Sequence, residues 1–147
     1  SIATFGDWTY SVDRNATIEA YRAVNHGGSM DCECTGCRNF LLARTKVFPT
    51  SFLALLDQLG IDPVKDGEVY HTARLSPGRH LYGGWFHFVG TLDMDGDFPP
   101  VYLEECFSVW LSHASAPRLV TLENLPAVQL EFSAEAVPWL LSEPEPT

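Results

Sequence analysis

Between Asp7 and Asp13 the chain reads DWTYSVD, with Trp8, Tyr10 and Val12 alternating against polar neighbours. A period of two is that of a half-buried strand. NATIEAYRAV follows and predicts a short helix, with Asn15 as its cap, Glu19 in its first turn, and Ile18 and Tyr21 on one face. In PTSFLALLDQLG the residues Phe52, Leu55, Leu56 and Leu59 recur at i, i+3, i+4 and i+7, which predicts an amphipathic helix. Thr50 or Ser51 is placed to cap that helix and Gly60 to end it. CRNFLLARTKV has helical composition and predicts a further helix starting near Cys37.

The second half of the chain changes period. EVYHTARL and HLYGGWFHFVGTL flank SPGR, a hairpin signal with Pro and Gly in turn positions. ECFSVWLS and AVQLEFS predict two more strands, the latter with Val128, Leu130 and Phe132 set against Gln129, Glu131 and Ser133. GWFHFVG is apolar on both faces, so its strand is expected at the centre of the sheet, covered twice. Helices early and consecutive strands later imply an α+β fold: a single domain over residues 1–142, with a mainly antiparallel sheet of four or five strands and two or three helices on one face. Residues 143–147 form an acidic, Pro-rich tail expected to be disordered.

Composition narrows the function classes. The 147 residues are 46% hydrophobic and 19% charged, a globular balance. Nine basic against nineteen acidic residues give a net charge of −10. That sign repels phosphate backbones and anionic lipid, so neither nucleic acid nor a membrane surface is expected as a partner. A protein or small-molecule partner is the expectation, with free sheet edges offering a homodimer. No apolar run approaches the roughly 20 residues that span a bilayer. Four cysteines are too few for a disulfide scaffold, and a reducing, cytoplasmic setting is expected.

Three of those cysteines fall in CECTGCRNF, residues 32–40, and three readings of them stand side by side. The first is zinc. A Cys-x-x-Cys turn delivers two thiolates from one loop to a tetrahedral ion, and Cys32 adds a third. His87 is the expected fourth ligand, ahead of Cys106, His26 and His71, because a histidine on an apolar strand needs a polar partner. A closed four-ligand site of this kind is structural and does not catalyse. The second reading is redox: Cys34 and Cys37 would sit at the positive end of the helix that follows, which lowers a thiol pKa. The third is that the thiols are small buried side chains without a ligand, as expected for Cys106.

Two other constellations carry less. In DMDGDFPPVYLE the residues Asp93, Asp95, Asp97 and Glu104 match positions of a calcium loop, but Phe98 stands where the obligatory glycine belongs. An acidic connecting loop is the expectation. In YGGWFHF, Gly83 and Gly84 between Tyr82 and Trp85 allow a bulge and a ligand pocket, or simply a packed sheet core. No residue is singled out as catalytic, and an enzyme is the less expected class.

CECTGCRNF, LGIDPVKDGEVY, YGGWFHFVG and VQLEFSAEAVPWLL together resemble a family of short bacterial proteins that form a domain of unknown function. Its outline is CxCxxC[RK]N followed by an aromatic residue, then a GIDPxK-like motif, then YGxWFHFVG. The resemblance spans residues 30–143 and implies no activity. It does imply that Cys32, Cys34, Cys37 and His87 occupy motif positions, whereas Cys106 does not.

Overall fold

The computed structural model describes residues 1–93 and 97–147; Asp95 of the acidic loop lies outside them. Strands β1 (Ile2–Phe5) and β2 (Trp8–Val12) form a hairpin and lead into helix α1 (Arg14–Arg22). The single turn α2 (Gly28–Asp31) precedes α3 (Thr35–Val47) and α4 (Thr50–Leu59). Then come β3 (Glu68–Ser76), the fourteen-residue β4 (Arg79–Leu92), β5 (Val101–Glu104), β6 (Phe107–His113), a 3₁₀ turn at Val120–Leu122, and β7 (Ala127–Pro138). The architecture is α+β, and the seven strands form one sheet whose pairings are all antiparallel. Its order is β1-β2-β4-β7-β6-β5, with β3 paired to β4. No helix among the described residues is long and apolar enough to cross a membrane.

Seven strands exceed the expected four or five. The two extra ones, β1 and β5, have four residues each and half-exposed patterns, so burial leaves little periodic imprint on their sequence. Helix starts also shift. Asp13, not Asn15, caps α1, its Oδ1 accepting from the Ala16 N–H at 3.0 Å. α4 starts after Pro49 without a side-chain cap, and ends as expected at Gly60, φ 83°. At the β3–β4 hairpin Gly78 supplies the positive φ, 74°, that the turn requires.

On the helix-covered face of the sheet Phe86, Phe107 and Phe132 meet Phe40, Phe48 and Phe52 from the helical segment. Ring centroids are 4.8 Å apart for Phe52–Phe107 and 5.3 Å for Phe48–Phe132, within the range of favourable aromatic pairs. The opposite face of the centre is closed by the segment after β6. Trp85 Nε1 donates to the Pro117 carbonyl at 3.0 Å, and Gln129 Oε1 accepts from the Ser115 and Ala116 N–H groups. The central strand is therefore covered twice, as its sequence predicts.

β2 and β3 share one edge of β4 and leave a gap between them, because β3 pairs up to Trp85 and β2 begins at Gly90. Helix α1 fills it. Tyr21 Oη donates to the His87 carbonyl at 2.6 Å and accepts from the His87 N–H at 3.3 Å. Thr17 Oγ1 accepts from the Val89 N–H, and the Asp13 N–H donates to the Val89 carbonyl. Two side chains of a helix and the backbone N–H of its N-cap thus satisfy the backbone groups that a missing strand would have paired.

Candidate metal centre

The cysteine segment is held between α2 and α3 by buried polar contacts. Asp66, 1% exposed, accepts from both the N–H and the hydroxyl of Ser29, and the Gly28 N–H donates to the Asp66 carbonyl. A Cβ on Gly28 would overlap the Gly67 backbone, so the glycine lets the two loops close on each other. Beyond the cluster, fully buried Asn39 donates to Tyr82 Oη and to the Pro138 carbonyl, while its Oδ1 accepts from the Leu140 and Leu141 N–H groups. Tyr82 Oη in turn donates to the Gly36 carbonyl at 2.7 Å. These bonds fix the start of α3 against β4 and the end of β7.

Cys34 is the N-cap of α3, its sulfur accepting from the Cys37 N–H at 3.4 Å. The helix therefore begins at Thr35, two residues before the expected Cys37, with Gly36 and Cys37 in its first turn. Cys32 Sγ lies 3.1 Å from Cys34 Sγ, and the sulfurs of Cys32, Cys34 and Cys37 all lie within 4.8 Å of one another. Sulfurs around one tetrahedral zinc ion stand about 3.8 Å apart, given Zn–S bonds of about 2.3 Å. The three thiols are thus close enough together to hold a single metal ion. Cys32 and Cys34 are exposed and Cys37 is buried.

The environment separates the thiols. Partial burial acts to raise the Cys34 pKa, but hydrogen bonds from the Cys37 N–H and the neighbouring thiols outweigh it and leave Cys34 below its ordinary value. Burial, then the bonds and charges of the other two cysteines, pushes Cys37 well up; its thiol faces the Val69 carbonyl at 3.8 Å. Three sulfurs this close ionise together only against a cation.

His87 does not join this group. Its ring lies on the other side of the sheet from Phe86 and Phe88, with Nε2 at 3.1 Å from Gln129 Oε1. That oxygen already accepts two backbone N–H groups, so His87 Nε2 is the donor and its buried Nδ1 is left without a partner. The polar partner that an apolar strand demands of a histidine is Gln129. Cys106 is also outside the group, with the Arg79 guanidinium at 3.7 Å, and His26 is bonded to Asp31.

The glycine pair likewise departs from expectation. A Cβ on Gly83 would come within 2.5 Å of Tyr70 Oη, and one on Gly84 within 2.7 Å of the Phe132 ring. Tyr82 is buried and Trp85 packs over Gly67. The space beside these glycines is filled by the chain's own aromatic rings, and the register shifts of the hairpin fall elsewhere, beside Thr72, Leu75 and Leu81.

An open depression of about 430 Å³ does exist at the cysteines, lined by Cys32, Cys34, Cys37, Val69, His71 and Pro146. One wall is His71, in the sequence only a lesser candidate behind His87, and it leads into a histidine chain that the sequence does not reveal. His71 Nε2 lies 2.8 Å from His80 Nδ1, and His80 Nε2 lies 2.8 Å from a Glu145 carboxylate oxygen. Burial, then the repulsion that would arise between the two rings if both were protonated, holds His71 below the ordinary imidazole value. The hairpin at Pro77–Gly78 brings the two rings together, so the turn signal and the alternation around it contain this pairing. Glu145 also accepts from the Gly78 N–H and pairs with Arg74, and Glu143 forms a two-pronged pair with Arg38. The acidic tail, expected to be disordered, is docked by these contacts.

No family model matches the chain, and no match is found among the curated proteins or the solved structures. The fold and the site define it at the level of class: a small α+β domain with a three-cysteine centre at the junction of two helices and a sheet.

Proposed function

We propose that this is a zinc-binding domain in which Cys32, Cys34 and Cys37 hold the ion, and that it acts as a binding or interaction module. The observation that carries the reading is the convergence of three sulfurs within 4.8 Å, two of them on exposed side chains. Zinc suits a thiolate-rich, tetrahedral donor set. An ion there cross-links the end of α2 to the first turn of α3, a structural role. The acidic surface then offers contacts to a neutral or cationic partner, protein or small molecule.

Elemental analysis of protein purified under reducing conditions tests this. About one zinc per chain is expected, removed by a chelator together with part of the folded signal, and reduced about to background in Cys34→Ser. Metal-free protein that takes up no zinc on titration sinks the reading.

A second reading rests on one contrast: an exposed Cys34 thiol held low at a helix cap, beside a buried Cys37 thiol held high. Attacking and resolving thiols of a redox couple differ in this way. On that reading the protein purifies without metal, and mild oxidation lowers its thiol titre by two.

A further inference from the structure

Three cysteines leave one coordination position open, and the residue placed to fill it is not the histidine expected from the sequence. We propose that His71, through Nδ1, is the fourth ligand of the cysteine centre, and that His80 and Glu145 set it in the ligating tautomer. The inference rests on the reading of the three cysteines as a metal centre.

The Glu145 carboxylate only accepts, so His80 Nε2 is the donor in the 2.8 Å contact between them. A neutral His80 then has a bare Nδ1, which accepts from His71 Nε2 at 2.8 Å. A neutral His71 that donates through Nε2 carries its remaining lone pair on Nδ1. Ligating histidines nearly always donate their second ring N–H to a polar partner, which fixes the ring and raises its basicity. Here the partner is a histidine backed by a carboxylate.

Position agrees with tautomer. His71 and the three cysteines line the same depression. A Cβ built on Gly36 would lie 3.2 Å from His71 Cβ and 3.9 Å from Cys34 Sγ, so the two side chains lie beside the same point. His71 is not within 4.8 Å of all three sulfurs, and ligation requires a closing movement. The exposed Cys32–Cys34 turn is the side free to make it, since β3 and β4 hold His71 and His80. Gly36 is the position at which any side chain would stand in the way.

Cobalt(II) and zinc titrations of the reduced full chain test the proposal. Thiolate-to-cobalt charge transfer in the near ultraviolet reports the cysteines, and the visible d–d bands report the fourth ligand. Wild-type protein and His71→Ala are both expected to show the charge transfer. The d–d bands of H71A shift, and a chelator competition gives zinc affinity at least about tenfold weaker. Glu145→Ala weakens zinc in the same direction, whereas Glu143→Ala, which loosens the same tail without touching the rings, binds as wild type does. In the metal-free protein, imidazole nitrogen resonances show His71 protonated at Nε2, and its Nδ1 signal moves when zinc is added.

No charge transfer in wild type overturns the three-cysteine reading itself. Charge transfer with H71A matching wild type in bands and affinity overturns His71 alone. A His71 found protonated at Nδ1 in the neutral state also overturns it.

Discussion

His87 shows how one side chain reports its surroundings through its proton. The ring is 1% exposed, and burial holds its pKa at about 4; the Gln129 bond opposes that shift and the charge of Arg118 adds to it. Above pH 6.5 the imidazole is neutral whether the chain is folded or not, and costs nothing. Between 6.5 and about 4 the unfolded chain binds a proton that the folded one refuses, so stability falls as pH drops through that window. The loss attributable to His87 is about 3 kcal/mol at pH 4. Denaturant melts at pH 7 and pH 4 check this against His87→Gln, which keeps a donor toward Gln129 but does not titrate. The variant is expected to lose about 3 kcal/mol less than wild type over the window; equal losses assign the pH dependence to other groups. The same ring shows why the sequence pointed the wrong way. A histidine in GWFHFVG announces a need for a polar partner, but not whether that partner is a metal or the amide of Gln129, its neighbour in register on β7.

At the scale of elements, the most consequential device is the one between β2 and β3, where α1 stands in for a strand. Tyr21→Phe keeps the ring in the core and removes only the hydroxyl that serves the His87 N–H and carbonyl. Each buried backbone group left unpaired costs about 1–3 kcal/mol. The variant is expected to unfold at lower denaturant with an unchanged m-value, and its His87 amide to exchange faster; stability within about 0.5 kcal/mol of wild type would mean that water replaces the hydroxyl. Legibility follows the same physics. The period-two strands and α4 are plain in the sequence because one face of each is buried against the aromatic core. The edge strands β1 and β5 are not, being short and half-exposed. The role of Tyr21 was invisible, because an amphipathic helix looks the same whether its tyrosine hydroxyl meets solvent or a strand edge. The cysteines were legible as a cluster from spacing alone. Their neighbour His71 was legible only as one candidate behind His87, since it arrives from 34 positions beyond Cys37 by way of the sheet.

That separation along the chain sets how metal and fold are coupled across the whole molecule. Three ligands within residues 32–37 stay near one another even in an unfolded chain, so a zinc ion held by them alone binds folded and unfolded states with similar strength. Such an ion adds little stability however tightly it binds, because only differential affinity counts. A fourth ligand on β3 changes this, since folding alone brings β3 to the cysteines. An ion that binds only the native state at a free concentration of 100 times Kd adds about 2.7 kcal/mol. For a domain of 147 residues that is a rise of roughly 5–10 °C in Tm. Thermal melts with and without zinc therefore read out the origin of the ligands. Wild type is expected to show a rise of this size and Cys34→Ser almost none. His71→Ala is expected to bind zinc through its three cysteines while gaining less than half the wild-type shift at the same degree of saturation. If zinc-saturated H71A gains as much as wild type, the coupling to the fold runs through the cysteine turn and its buried Asp66–Ser29 lock, not through the sheet.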